Sequence, residues 1–297
     1  MEQTDRSMPE PFIQPTGTMS YGDLTRINSN LQALEALTHL QKTNSSLGER
    51  QLRLATGSRI NRAEDDSAGY TIAKKLEARV RGQAKALANI GDAKSMLTVA
   101  EGTLNTVMEI LQTMKEKSVQ AANATMGDSE RTAIKNELDA LSAEIDDMIA
   151  DTTFNGTSLF SAAGATTFTF QVNSESGDVF NVSIGSMGTG SLSVTTTDLN
   201  VTSTASAGAT LGTIGTAIET LAARLSSIGD SQKRLTFKQE NLQTSMNNYE
   251  AARSRIADAD FAMEQLEIVK LQILQQTGTA TLAQSNAAPQ SILQLFG

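Results

Sequence analysis

The chain contains no cysteine, which excludes disulfides, thiolate nucleophiles and cysteine-built metal sites. It contains no tryptophan either, and aromatic residues are 4% of its 297 residues against 39% hydrophobic. Compact cores usually draw buried area from aromatic rings, so this balance favours helices packed through Leu, Ile and Ala. The single histidine, His39, cannot build a His-rich metal site and reads as packed or solvated. Acidic and basic residues are mixed along a chain of net charge −9, whereas a nucleic-acid surface needs clustered Lys and Arg. No apolar run approaches the roughly 18 residues of a membrane span, so no membrane insertion is expected. Residues Met1 to Gly22 lack the basic-then-apolar order of a secretory signal, and any export is expected to proceed without a cleaved signal peptide. The glycines at Gly185 and Gly188 are followed by no Gly-Lys-Ser/Thr, so they make no phosphate loop. Glu64-Asp65-Asp66 reads as a charged helix start, with Arg59, Arg62 or a neighbouring copy as partners. General acid–base work would need a pocket and a second group facing it. Asp146-Asp147 reads as a solvated helix face. No catalytic residue, cofactor or metal is expected, and the chain does not read as an enzyme.

What the chain does have is periodicity. Segment 1–23, with Pro9, Pro11 and Pro15, reads as a leader or extension, and Met19 offers an alternative start. From Leu24, apolar residues recur at helical spacing through Ile27, Leu31, Leu34, Leu40 and Leu47, stopping near Gly57. A second helix, opened by Asp65 and Asp66, is expected to run to about Asn123. Ile90, Leu97, Leu104 and Leu111 form one heptad row, and Ala86, Ala93, Ala100, Val107, Met114 and Ala121 form the other. Two such rows are the seam of a coiled coil. Gly127 should end that run, and Ile134, Leu138, Leu141, Ile145 and Met148 should form a third helix folded back on the second.

The texture then changes. Asn155-Gly156 is a turn signal, Phe168, Phe170 and Val172 alternate with polar residues, and so do Phe180, Val182 and Ile184. These predict a β-hairpin within 161–209, and Leu192 with Val194 suggests a third strand. Every seventh residue from Ile214 to Met263 is apolar or Tyr249, with a weaker companion row that includes Gln232, Gln239 and Arg253. Such polar entries weaken a seam and fix its register. The segment from Ala262 is apolar on several sides, and a second short piece is expected after Pro289. Two lone helices cannot cover all these faces, so the ends are expected to be disordered in the free chain and to fold on assembly, while the middle folds alone. The fold class is therefore mainly α: a long antiparallel coiled-coil rod drawn from N- and C-terminal segments, with a small central β-hairpin element.

Several motifs then carry a resemblance. Arg26 to Asn30, Ala55 to Gly69 and Phe154-Asn155-Gly156 resemble the amino end of bacterial flagellin. Ala252 to Ala262, Gln272 to Gly278 and Leu282 to Asn286 resemble its carboxyl end. The likeness spans about residues 24–160 and 211–297. It implies a short-form filament subunit that self-assembles into a helical tube used for motility, lying in the extracellular flagellum. The alternatives are a hook–filament junction protein and a flagellin-like surface adhesin.

The same resemblance implies an inner-tube domain of 24–64 plus 257–297 and an outer-tube domain of 65–256. Subunit assembly would use Leu24, Ile27, Leu31, Leu34, Leu266, Val269, Ile273, Leu274, Leu293 and Phe296. Domain-junction and inter-subunit polar contacts would use Arg59, Asp65, Asp66, Arg253 and Arg255. The implied partners are further copies of the chain, the flagellar export apparatus, an export chaperone on the C-terminal helix, and the filament cap and junction proteins. The family's innate-immune receptor surface maps to Gln112, Thr113, Glu116, Lys117 and Glu137. Thr113 and Lys117 stand where the stimulatory pattern has Arg and Leu, so weak or no stimulation is expected.

Overall fold

The structure is a computed structural model describing residues 30–161 and 164–296, with side chains as far as residue 287. The leader, Leu24, Ile27 and the side chains of Leu293 and Phe296 lie outside the described residues. The chain divides into two compact units, Met1–Ser67 with Ala257–Gly297 and Ala68–Ile256. The fold is mainly α, with long antiparallel helices and a small β element.

The second unit is built on three helices: α2 (Ser67–Ala121), α3 (Asp128–Asp151) and α5 (Thr204–Ala257). At 1.5 Å per residue, α2 with its 55 residues is about 80 Å long. Both heptad rows of α2 are interior: Ile90, Ala93, Leu97, Ala100, Leu104, Val107, Leu111 and Met114 are fully or almost fully buried. They meet Ile134, Leu138 and Ile145 of α3 and Ile214, Leu221, Ile228, Leu235 and Leu242 of α5.

Polar residues in the seam set its register. Gln83 Nε2 donates to Ser245 Oγ at 3.2 Å, Lys94 Nζ to Gln239 Oε1 at 3.3 Å, and Gln232 Nε2 to Glu101 Oε2 at 2.8 Å. Numbers rise along α2 as they fall along α5, so the two run antiparallel. The buried Arg131 donates from Nε to Ala121 O at 3.0 Å and from Nη2 to Asn123 O at 2.9 Å and Thr204 Oγ1 at 3.2 Å. It thereby caps the end of α2 and ties it to the start of α5.

Between α3 and α5 lie two antiparallel hairpins. β1 (Thr153–Phe154) and β2 (Thr157–Ser158) are joined by Asn155 and Gly156, with φ of 51° and 75°. Two positive φ values in a two-residue loop make the type I′ geometry that Asn-Gly favours. β3 (Thr166–Gln171) and β4 (Val179–Ile184) pair with Phe168 opposite Val182 and Phe170 opposite Phe180. One face of β4 is buried and the other exposed, as its alternation dictates. The connection between β3 and β4 approaches α2 at Gly82, where an added Cβ would lie 2.7 Å from the Cβ of Ser174.

Three local readings are corrected. Leu192 and Val194 are buried but belong to no strand: Thr189–Leu192 is a short helix, α4, ended by Ser193 at φ 56°. Its start is held by Asp146, which like Asp147 is exposed on α3 but whose carboxylate also accepts from Thr189 N at 2.9 Å and from Thr189 Oγ1 at 2.7 Å. The heptad run does not persist to Met263, because α5 ends at Ala257 and α6 (Phe261–Phe296) begins anew. Asp260 Oδ1 caps that start, accepting from Ala262 N at 2.9 Å and Met263 N at 3.2 Å. Finally, α6 continues through Pro289 instead of breaking there. Proline removes the N–H that would bond the carbonyl four residues back. That carbonyl, on Ser285, instead accepts from Asn30 Nδ2 at 2.7 Å.

Candidate assembly surface

The first unit consists of α1 (Leu31–Thr56), α6 and the segments that join them to their neighbours in sequence. Asn30 opens α1 as a side-chain cap, its Oδ1 accepting from Ala33 N at 3.1 Å. Gly57, at φ 71°, closes it in the left-handed conformation. The inward stripe of α1 is Ala33, Ala36, Leu40, Thr43, Leu47, Arg50 and Leu54, with Ser46 and Arg53 half-buried beside it. That of α6 is Glu264, Ile268, Leu271, Gln275, Gly278, Leu282 and Ser285, with Glu267 half-buried beside it. Both sets step by three and four, so each helix turns a coiled-coil stripe inward.

This pairing leaves other apolar faces uncovered. Leu31, Leu34, Leu37 and Leu52 of α1 are exposed, as are Phe261, Met263, Leu266, Val269, Ile273 and Leu274 of α6. Leu266 is 67% exposed and Leu34 58%. Scattered single exposed hydrophobics are ordinary, but ten on one helix pair are not. Among the sequence-derived assembly residues, Leu31, Leu34, Leu266, Val269, Ile273 and Leu274 all fall on these outward faces.

Charged residues organise the turn that closes α1. Glu264 is 5% exposed, and Arg50 Nη1 donates to both its carboxylate oxygens at 3.0 Å. Arg53 stands 3.9 Å from Glu264 and, through its other terminal nitrogen, 3.9 Å from Asp65. Asp65 is not the first residue of α2. Its Oδ2 accepts from the backbone N–H groups of Asn61 and Arg62, both at 2.9 Å. The Arg62 N–H and then the Asn61 N–H hold this carboxyl below the usual carboxylate range. Asp66 is half-buried beside it.

The chain before α2 is also tied to the chain before α6. Ser58 bridges Asp258, Arg59 N donates to Ala257 O at 2.6 Å, and Ala259 N donates to Gly57 O at 2.9 Å. The Arg59 side chain is exposed, as is Arg255. Arg253 is engaged within its own helix, donating to Glu250 at 3.1 and 2.6 Å. The five polar residues expected at the junction are thus not one cluster. Sequence reasoning passed over Asn30, Arg50, Arg53 and Glu264. The available signal was that Glu264 and Arg50 occupy stripe positions, where a charge demands a partner. Among the described residues no group of three or more His, Asp or Glu side chains is placed to hold a metal ion.

A separate face lies on α2 and α3. Gln112, Thr113, Glu116 and Glu137 are exposed, and Lys117 Nζ pairs with Glu137 at 2.7 Å. Thr113 turns its hydroxyl back to Glu109 O at 3.0 Å.

Comparison with known proteins fits this architecture. The family model for the bacterial flagellin N-terminal helical region matches residues 27–165, and that for the C-terminal helical region matches 211–296. The flagellin of Bacillus subtilis (strain 168) is 35% identical over 302 residues, covering 91% of this chain and 99% of its own. The flagellar filament 33 kDa core protein of Treponema phagedenis is 33% identical, with the same coverage of both chains. A solved structure of a putative flagellar hook-associated protein from Vibrio parahaemolyticus is similar at a TM-score of 0.54, covering 65% of this chain and 100% of its own. At 16% identity it speaks to the fold alone.

Proposed function

Because the chain belongs to the bacterial flagellin family, we propose that it is the structural subunit of a flagellar filament, polymerising with its own copies into a helical tube used for motility. The observation that carries this reading is the set of ten large hydrophobic side chains left exposed on the α1–α6 pair. Completing the burial of roughly half of each would contribute on the order of 10 kcal/mol per copy. Loss of translational and rotational freedom opposes this by about 4–15 kcal/mol. The balance suits a polymer that grows above a threshold concentration.

In this reading 24–64 and 257–297 line the inner tube, and 65–256 forms the outer tube with its hairpin region 161–209. Arg59, Asp65, Asp66, Arg253 and Arg255 supply polar contacts at the domain junction and between copies. The terminal pair is marginal in the free chain and settles when neighbouring copies cover it. Export proceeds unfolded through the flagellum's own channel, with a chaperone masking the C-terminal helix, and the finished filament contacts cap and junction proteins. The filament is extracellular. Among the described residues no helix is long and apolar enough to cross a membrane. The family is structural, and the reading calls for no catalysis. With Thr113 and with Lys117 held by Glu137, the α2–α3 face stimulates the innate-immune receptor weakly or not at all.

The test is polymerisation of two purified chains, full length and lacking 266–297, followed by sedimentation and electron microscopy. Long tubes from the full-length chain alone support the reading. Equal polymerisation of the truncated chain, or short rings only, would sink it and favour a junction protein.

A further inference from the structure

The apolar residues of the α1–α6 stripe do not define one register. Leu40, Leu47 and Leu54 recur every seven residues, so sliding α1 by one heptad puts leucine where leucine was. Of the other shielded α1 positions, Ala33, Ala36, Thr43 and Ser46 are too small to oppose such a slip by steric mismatch, which leaves Arg50 and Arg53. The backbone bonds that tie Gly57 and Arg59 to Ala259 and Ala257 hold the joint at one end, and side chains must select the pairing along the helices.

Polar contacts stand near both ends of the pair. At one, Arg50 holds the buried Glu264. At the other, Asn30 donates to Ser285 O, the carbonyl that Pro289 deprives of its helical donor. Other carbonyls in a regular helix interior are occupied, so this one marks a position that a side-chain amide can find. Asn44 Oδ1 accepts from Gln275 Nε2 at 2.8 Å between them. We propose that Asn30 and Arg50 are specificity-determining residues that fix the α1–α6 register by recognising the proline-opened carbonyl of Ser285 and the carboxylate of Glu264. In a register displaced by seven residues Glu264 is buried without its arginine and Asn30 meets an occupied carbonyl. Both losses leave a polar group unpaired, which discriminates more strongly than the leucines do.

The absence of cysteine permits a direct test. An ideal Cβ on Gly278 lies 3.9 Å from Leu40 Cβ, within the disulfide range. Leu40→Cys with Gly278→Cys reports the native register. Leu40→Cys with Leu271→Cys, and Leu40→Cys with Ser285→Cys, report a slip of one heptad either way. Full-length chains are oxidised and intramolecular disulfides quantified on denaturing gels, where cross-links between copies run as dimers. In the parent background the native pair should dominate the slipped pairs by about tenfold or more. Adding Asn30→Ala, Arg50→Leu and Glu264→Leu should keep the total intramolecular yield and bring the slipped pairs to parity with the native one. Persistence of the native pair alone would show that apolar packing, the Asn44–Gln275 contact or the backbone joint sets the register without Asn30 and Arg50, and loss of every cross-link would show that the polar contacts supply stability instead. Either result overturns the proposal without touching the filament reading, which rests on sedimentation.

Discussion

Arg131 shows how much one side chain can organise without announcing itself. It is 7% exposed, and its partners are two main-chain carbonyls and a hydroxyl, so its acidic neighbours in sequence, Asp128 and Glu130, give no hint of its role. Arg131→Ala strands those acceptors at the end of α2 and should cost about 2–3 kcal/mol, read as a lower urea midpoint for the full chain. A loss below about 0.5 kcal/mol would mean water replaces the guanidinium without penalty. Asp65 is legible only in part. Its charge near a helix start is visible in the sequence, yet it grips the loop before the helix rather than the helix itself. Its folded pKa is lowered, so its contribution is complete above the unfolded value of about 3.9 and is lost as pH falls through the lower folded value. Hydrogen exchange at the Asn61 and Arg62 amides should accelerate in that acid window. Asp65→Asn should remove that pH dependence, and an unchanged profile in the variant would assign the effect elsewhere. Gly82 likewise gave no sign of its role, since only the fold brings Ser174 against it.

At the scale of elements, what could be read was what repeats. Both heptad rows of α2, the alternation of β4 and the Asn155-Gly156 turn depend on spacing within one segment, and each lies where its spacing puts it. The misread elements depend on partners remote in sequence. Leu192 and Val194 alternate like a strand, but Asp146 on α3 captures the start of α4 and Ser193 turns the chain between them. Pro289 fails to end α6 because Asn30, at the other end of the chain, takes the carbonyl it frees. The Asp146 contact predicts its own cost. Asp146→Ala should destabilise the chain by about 1–2 kcal/mol and raise protease sensitivity near Thr189, whereas Asp147→Ala should do neither. Equal effects of the two substitutions would place the stabilisation in helix charge rather than in the Thr189 contacts. The candidate surface divides the same way: its apolar members were legible as an excess of hydrophobic faces, and its register-setting polar members were not.

For the whole molecule, the decisive distinction is between hydrophobic residues that hold the chain together and those that wait for another copy. Leu97 is 0% exposed in the α2 seam, while Leu266 and Ile273 are 67% and 58% exposed on α6. Both kinds belong to apolar stretches with helical spacing, so sequence alone does not separate them. Their energetics do. Leu97→Ala creates a cavity and should cost about 2–5 kcal/mol in unfolding of the soluble chain. Leu266→Ser and Ile273→Ser lose little in the free chain, within about 0.5 kcal/mol, because water already reaches most of each side chain. If these two side chains are buried between copies, each substitution withdraws part of about 1.5–3 kcal/mol from every added subunit. A loss of about 1.4 kcal/mol raises the threshold concentration for polymerisation tenfold. The expected pattern is thus crossed: the Leu97 variant melts early, whereas the Leu266 and Ile273 variants melt normally and polymerise only at higher concentration. Sedimentation across a concentration series, beside thermal melts of the same samples, checks both halves. If Leu266→Ser and Ile273→Ser left the threshold unchanged, the exposed face of α6 would not be the surface on which the filament grows.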